Sequence, residues 1–141
     1  MLHVECIDAN LTHDTELFGK MDPFVKITSG QLAIQTKVCE KGGRKPTWNQ
    51  TLHIDPYYLE DVVKITVLDQ DLNKKDIVGF CKVLKADLMS EQPVERKLDL
   101  IFGPKEKPAG TLRIKSHCTT NTKAEDIIQH VVHKATAQLA A

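Results

Sequence analysis

At 141 residues the chain has room for about one domain with a real core. Basic and acidic residues stand at 19 each, so no global field draws it to nucleic acid. The start, Met1-Leu2-His3-Val4-Glu5, lacks the basic and apolar regions of a signal peptide, and no apolar run nears the ~20 residues that span a bilayer, so a cytoplasmic protein is expected.

Leu2, Val4, Cys6 and Ile7 make a strand-like start, and residues 10–21 form a polar, glycine-containing connection. Phe24 to Thr28 is β-rich and stops at Ser29-Gly30. Leu32, Ile34, Thr36 and Val38 then alternate with polar or small residues, the period of two of a half-buried strand. Two glycines and Pro46 punctuate a turn at Lys41 to Pro46. Strand patterns resume at Leu52 and Ile54, at Val62 to Leu68, at Gly79 to Val83, at Lys97 to Leu100 and at Gly110 to Lys115. Seven or eight short strands so spaced predict an all-β antiparallel sandwich.

A helix is expected only at the end of the chain. Thr122-Lys123-Ala124-Glu125 fits a capping box, and Ala124, Ile128, Val131, Ala135 and Leu139 repeat at helical spacing. Residues 1–118 are therefore read as the sandwich and 119–141 as an amphipathic helix. That helix would pack on its own sandwich, self-associate or meet a protein partner. His130 and His133 stand one turn apart on it, and with His117-Cys118 beside the linker they are weak evidence for a zinc site. Cys6, Cys39, Cys81 and Cys118 are widely spaced, with no C-x-x-C pair, and are read as reduced thiols.

Two acidic stretches lie at the edges of β segments: Gly19-Lys20-Met21-Asp22-Pro23-Phe24-Val25-Lys26, and Asp69-Gln70-Asp71 with Asp76-Ile77-Val78-Gly79 behind it. Like charges 4 Å apart repel by ~1 kcal/mol even in bulk water, so such crowding suggests a hard cation. Setting aside Glu16, Asp22, Asp69, Asp71 and Asp76 takes 19 acids down to 14 against 19 bases, so a neutral total conceals an acidic pole. An EF-hand starting at Asp69 fails. Its sixth position is Lys74 rather than glycine, its twelfth is Phe80 rather than glutamate, and both flanks are β-like. On a strand, by contrast, residues i and i+2 share a side, so Asp69 and Asp71 can face one ion.

These motifs resemble those of the C2 domain family. The family's G-K-x-D-P-[YF]-V-K element stands as Gly19 to Lys26, its N-P-x-W-N-E turn as Lys45 to Gln50, and its D-x-D-loop-D-x-[IV]-G pattern as Asp69 to Gly79. The likeness runs from Leu2 to Cys118 and is strongest to small single-domain plant C2 proteins of the elicitor-responsive kind. It implies an eight-stranded Greek-key sandwich of type II topology. It also implies a calcium-dependent module, not an enzyme, that docks reversibly on anionic phospholipid and is peripheral to membranes when calcium-bound. One to three calcium ions would be held by Glu16, Asp22, Asp69, Asp71 and Asp76, with Asp14 as the substitute for Glu16. The third loop is one residue shorter than the commonest pattern, which bears on Asp76. Lys45 and Gln50 replace an asparagine and an acid in the turn.

Leu17 and Phe18 at the first loop's apex and Lys74 and Lys75 on the third are the expected lipid contacts, with Lys26 and Lys37 as a phosphoinositide patch. Apolar tips entering a bilayer's interfacial region would contribute ~1.5–3 kcal/mol each. The competing reading is a calcium-independent adaptor that binds protein through its sandwich face or terminal helix. Catalytic signatures such as G-x-S-x-G, H-E-x-x-H or a phosphate-cradling glycine loop do not occur.

Overall fold

The computed structural model describes residues 1–16, 18–71 and 75–119. Eight strands account for most of them: β1 (Leu2–Leu11), β2 (Pro23–Ser29), β3 (Leu32–Gln35), β4 (Thr47–Ile54), β5 (Val62–Gln70), β6 (Lys75–Leu84), β7 (Val94–Phe102) and β8 (Lys107–Cys118). Their order is β3-β2-β5-β6-β7-β8-β1-β4, and every neighbouring pair is antiparallel. β6 meets β7 through the single pair Phe80–Ile101. At that point the order folds into two four-stranded layers, β3-β2-β5-β6 and β4-β1-β8-β7. The chain crosses between layers after β1, β3, β4 and β6, as in a Greek key.

The core follows from alternation. Leu2, Val4 and Cys6 of β1, Leu112 and Ile114 of β8, and Leu52 and Ile54 of β4 point inward from one layer. Val25 and Ile27 of β2 meet them from the other, with Val63, Ile65 and Val67 of β5. The first strand pairs with the last along almost its whole length, from Leu2–Cys118 to Leu11–Gly110. That close pairing needs Gly110. Its φ is +121°, and a Cβ there would come 2.2 Å from the Asn10 carbonyl oxygen.

Several boundaries differ from the sequence expectation. β1 runs on to Leu11 because a bulge at Ile7 shifts its register between Cys6 and Asp8. Burial therefore passes from Leu2, Val4 and Cys6 to Ala9 and Leu11, a change of parity that hides the strand from a period-two reading. β4 starts at Thr47, five residues before Leu52. β3 ends at Gln35, and Thr36 beyond it still binds β2: its N–H donates to the Val25 carbonyl and its Oγ1 accepts from the Val25 N–H. A 3-10 turn at Pro56–Tyr58 and a four-residue helix, α1 (Lys85–Leu88), lie in connections that carry no amphipathic period. The expected C-terminal helix lies outside the described residues. All four cysteines are free, and burial pushes the thiol of Cys6 up to about 12 and that of Cys81 up to about 11, so neither is a nucleophile near neutral pH.

Candidate metal centre

The ladder brings the two acidic stretches together. Pro23 pairs with Asp69 between β2 and β5, and Asp69 pairs with Asp76 between β5 and β6. Asp22, just before β2, and Asp76 of β6 therefore flank Asp69 on either side. β5 continues past Leu68 to Gln70, and β6 begins at Lys75, so Asp69 and Asp76 are strand residues rather than loop residues. A bulge at Val78 sets this register: Val67 pairs with Gly79, but Leu68 pairs with Ile77. Directly opposed residues of an antiparallel pair share a face, which puts Asp76 on the Asp69 side of the sheet.

Asp69 has the parity of Val63, Ile65 and Val67 and is fully buried. Burial of a charge requires partners. Its Oδ1 accepts from the Asp22 backbone N–H at 2.8 Å, and its Oδ2 accepts from the Thr15 hydroxyl at 2.7 Å. Each carboxylate oxygen keeps a further lone pair. Carboxylate oxygens of Glu16, Asp69 and Asp71 lie within 4.8 Å of one another. Hydrogen bonds to Asp69 and then Asp71 push the Glu16 carboxyl up to about 7, helped by desolvation and by both charges. The neighbouring carboxylates thus favour the protonated form of Glu16.

Glu16, rather than Asp14, joins this group. Asp14 is drawn away by Arg44, whose Nε donates to its Oδ2 at 3.3 Å, and its Oδ1 accepts from the Glu16 N–H at 2.9 Å. Asp14 thereby shapes the turn that presents Glu16. Asp22 is fixed by the Lys41 N–H, which donates to its Oδ1 at 2.7 Å, and by the Gln70 N–H, which donates to its carbonyl. The arrangement is a cup of oxygen donors at one end of the sandwich, with the chemistry that hard divalent cations prefer. Its donors fit calcium better than zinc or copper, because among the described residues no imidazole or thiolate clusters with these carboxylates.

A C2 domain family model matches residues 1–100. The chain belongs to the C2 domain family. Two curated relatives from Arabidopsis thaliana, multiple C2 domain and transmembrane region proteins 8 and 7, are 27% and 32% identical over 82 residues. Those alignments take in 57% of this chain and only 8% of either relative. Among solved structures, a C2 domain of plant extended synaptotagmin 1 aligns with a TM-score of 0.70 at 22% identity, covering 86% of this chain and 95% of that one. A C2 domain-containing protein from a putative elicitor-responsive gene gives 0.64 at 20%, covering 87% and 91%. The calcium-bound pair of C2 domains from extended synaptotagmin 2 gives 0.64 at 22%, covering 82% of this chain and 44% of that one.

Around the cup, Phe18 is 89% exposed, beside Gly19 at φ +81°. Leu17 and Lys74 lie outside the described residues. Lys75 is exposed, and its ammonium stands 5.6 Å from the centroid of the Phe24 ring. Lys26 is half-buried opposite Gln35 and Thr66, while Lys37 is exposed and its N–H donates to Gln50 Oε1 at 2.8 Å. The altered turn thus serves the scaffold: Gln50 secures Lys37, and Trp48 Nε1 donates to the Pro23 carbonyl at 3.0 Å. Sequence reading missed Thr15 and the Lys41 amide as supports of the cup. Thr15 carried a faint signal, lying between the two candidate acids. The amide carried none, because any residue but proline has one. Among the described residues, no helix is long and apolar enough to cross a membrane.

Proposed function

We propose that this C2 domain is a non-catalytic, calcium-dependent module that docks reversibly on anionic phospholipid through the acidic end of its sandwich. The observation that carries the reading is the convergence of Glu16, Asp69 and Asp71, with Asp22 just before β2 and Asp76 on β6. Asp69 and Asp71 would be central ligands, with Glu16, Asp22 and Asp76 around them. Bound calcium would supply positive charge at this end and accept a lipid phosphate oxygen as an outer ligand. Without it, the cup's own carboxylates repel an anionic surface. Phe18, exposed beside the cup, would enter the interfacial region once docking brings it there, and Leu17 and the Lys74–Lys75 pair would accompany it. A phosphoinositide role for Lys26 and Lys37 would be secondary. The calcium-bound state of a structural neighbour, extended synaptotagmin 2, accords with this reading.

Co-sedimentation with phosphatidylserine-containing vesicles tests it. Binding is expected with calcium, and is expected to be lost both with chelator and in Asp69→Asn/Asp71→Asn. Binding that survives chelator and double substitution would instead favour the calcium-independent adaptor.

A further inference from the structure

At the opposite end of β1, three histidines stand side by side. His3 pairs with His53 of β4 and with His117 of β8, so they form one row across three adjacent strands. Each is flanked in its own strand by buried residues: His3 by Leu2 and Val4, His53 by Leu52 and Ile54, His117 by Ser116 and Cys118. All three side chains therefore share the outer face of the β4-β1-β8 layer.

They are already in contact. His3 Nδ1 and His53 Nδ1 are 2.8 Å apart and share a hydrogen bond. The His3 and His117 rings stack with centroids 4.7 Å apart and planes 24° from parallel, while the His3 and His53 rings meet edge to face at 5.0 Å. Glu5, Thr51 and Lys115, one pleat further along the same strands, and Pro93 complete a shallow depression of about 170 Å³ with His3 and His117. From His3 to Leu11, where β1 reaches the acidic end, is roughly 25 Å at ~3.3 Å per residue, so this row is separate from the cup.

We propose that His3, His53 and His117 form a second metal site, for a borderline-soft divalent ion such as zinc or copper rather than calcium. Neutral imidazole is the nitrogen ligand these ions prefer, and at neutral pH an ordinary histidine is mostly neutral. Zinc–nitrogen bonds of about 2.0–2.1 Å in tetrahedral geometry set two ligand nitrogens roughly 3.3 Å apart. To admit the ion the His3 and His53 Nδ1 atoms part by about half an ångström, the rings tilt so that both lone pairs face it, and the donor ring moves its Nδ1 proton to Nε2. In this structure His117 stacks on His3 and does not converge its ring nitrogens with the His3–His53 pair, so it joins by turning its half-exposed ring out of the stack. Three imidazoles leave the fourth position to water, as in an open zinc site. A bound ion would tie together β4, β1 and β8, the strands that hold both ends of the described chain: the Met1 amine donates to the Thr119 carbonyl, and His3 Nε2 lies 3.2 Å from Thr119 Oγ1.

Calorimetric titration of the full chain with zinc tests the site, in the presence of excess calcium. His3→Asn and His53→Asn each remove one ligand, and His130→Asn/His133→Asn removes the histidines of the terminal segment. His53 is exposed on an edge strand, so its variant keeps the fold even if His3→Asn does not; circular dichroism checks both. One zinc per chain is expected, weakened at least about tenfold by His3→Asn and by His53→Asn and unchanged by the terminal double variant. Three results would overturn the proposal: no saturable zinc binding, binding that persists undiminished in His53→Asn, or binding lost with His130 and His133.

Discussion

Glu16 is favoured in its protonated form by the neighbouring Asp69 and Asp71 carboxylates. Its carboxyl is raised from an ordinary 4.5 to about 7 by hydrogen bonds to Asp69 and Asp71. In the metal-free protein the folded state therefore binds a proton that the unfolded chain has already released. The associated stability is present below pH 4.5 and is lost as pH rises through about 7, so the metal-free Tm should fall across that window. Calcium binding should run the other way. Releasing one proton of this pKa strengthens apparent affinity about tenfold between about pH 6 and about pH 8. Calcium titrations at the two pH values check this, and Glu16→Gln should flatten the dependence. His3 shows the opposite shift: desolvation first, then His117, His53 and the terminal amine, hold it below the usual imidazole range. Its contribution to stability is present above pH 6.5 and is lost as pH falls through the depressed folded value. NMR titration of the ring protons should find its midpoint below that of an unperturbed histidine.

At the scale of elements, the cup depends on the first turn of β2 being held from several sides. The Pro23 carbonyl accepts from the Cys39 N–H at 2.8 Å and from Trp48 Nε1 at 3.0 Å, fixing the residue that follows Asp22. Trp48→Phe keeps most of the ring and removes the donor, and should cost roughly 1 kcal/mol in urea unfolding and loosen calcium binding along with it. The pairing of β1 with β8 depends on backbone approach at Gly110. A methyl group there meets backbone atoms of Asn10 and Leu11 with nowhere to retreat. Gly110→Ala should therefore cost about 2–4 kcal/mol, while Gly103→Ala, with nothing within 4 Å, should cost less, because it carries backbone strain alone. Parallel urea titrations of the two variants separate steric clash from strain.

Across the whole molecule, what could be read from sequence was whatever repeats or carries charge. Eight strands were legible because their inward residues alternate, and the acids were legible because their spacing matched a known pattern. The Ile7 bulge was not, since one inserted residue inverts the pattern without leaving a polar marker. The early start of β4 was hidden because Lys45 to Gln50 read as a turn, and Asn49 does stand at a φ of +46° inside the continuous strand. Sequence placed Glu16 in the ligand set with Asp14 as its substitute, but did not show why Asp14 stands apart from Asp69 and Asp71. That turns on Arg44, a residue 30 positions away from Asp14. The histidine row was missed for a related reason: His3, His53 and His117 become neighbours only through strand register.

The same molecule-wide view locates the acidic pole. A chain with 19 charges of each sign gathers several carboxylates at one end, and the fold holds them there against their mutual repulsion. Calorimetric titration of calcium into the chain and into Asp69→Asn/Asp71→Asn measures directly whether a cation relieves that repulsion. Saturable binding to the parent chain, absent from a double variant that keeps the native circular dichroism spectrum, is the expected result. No binding to the parent, or equal binding to both, would contradict the calcium cup.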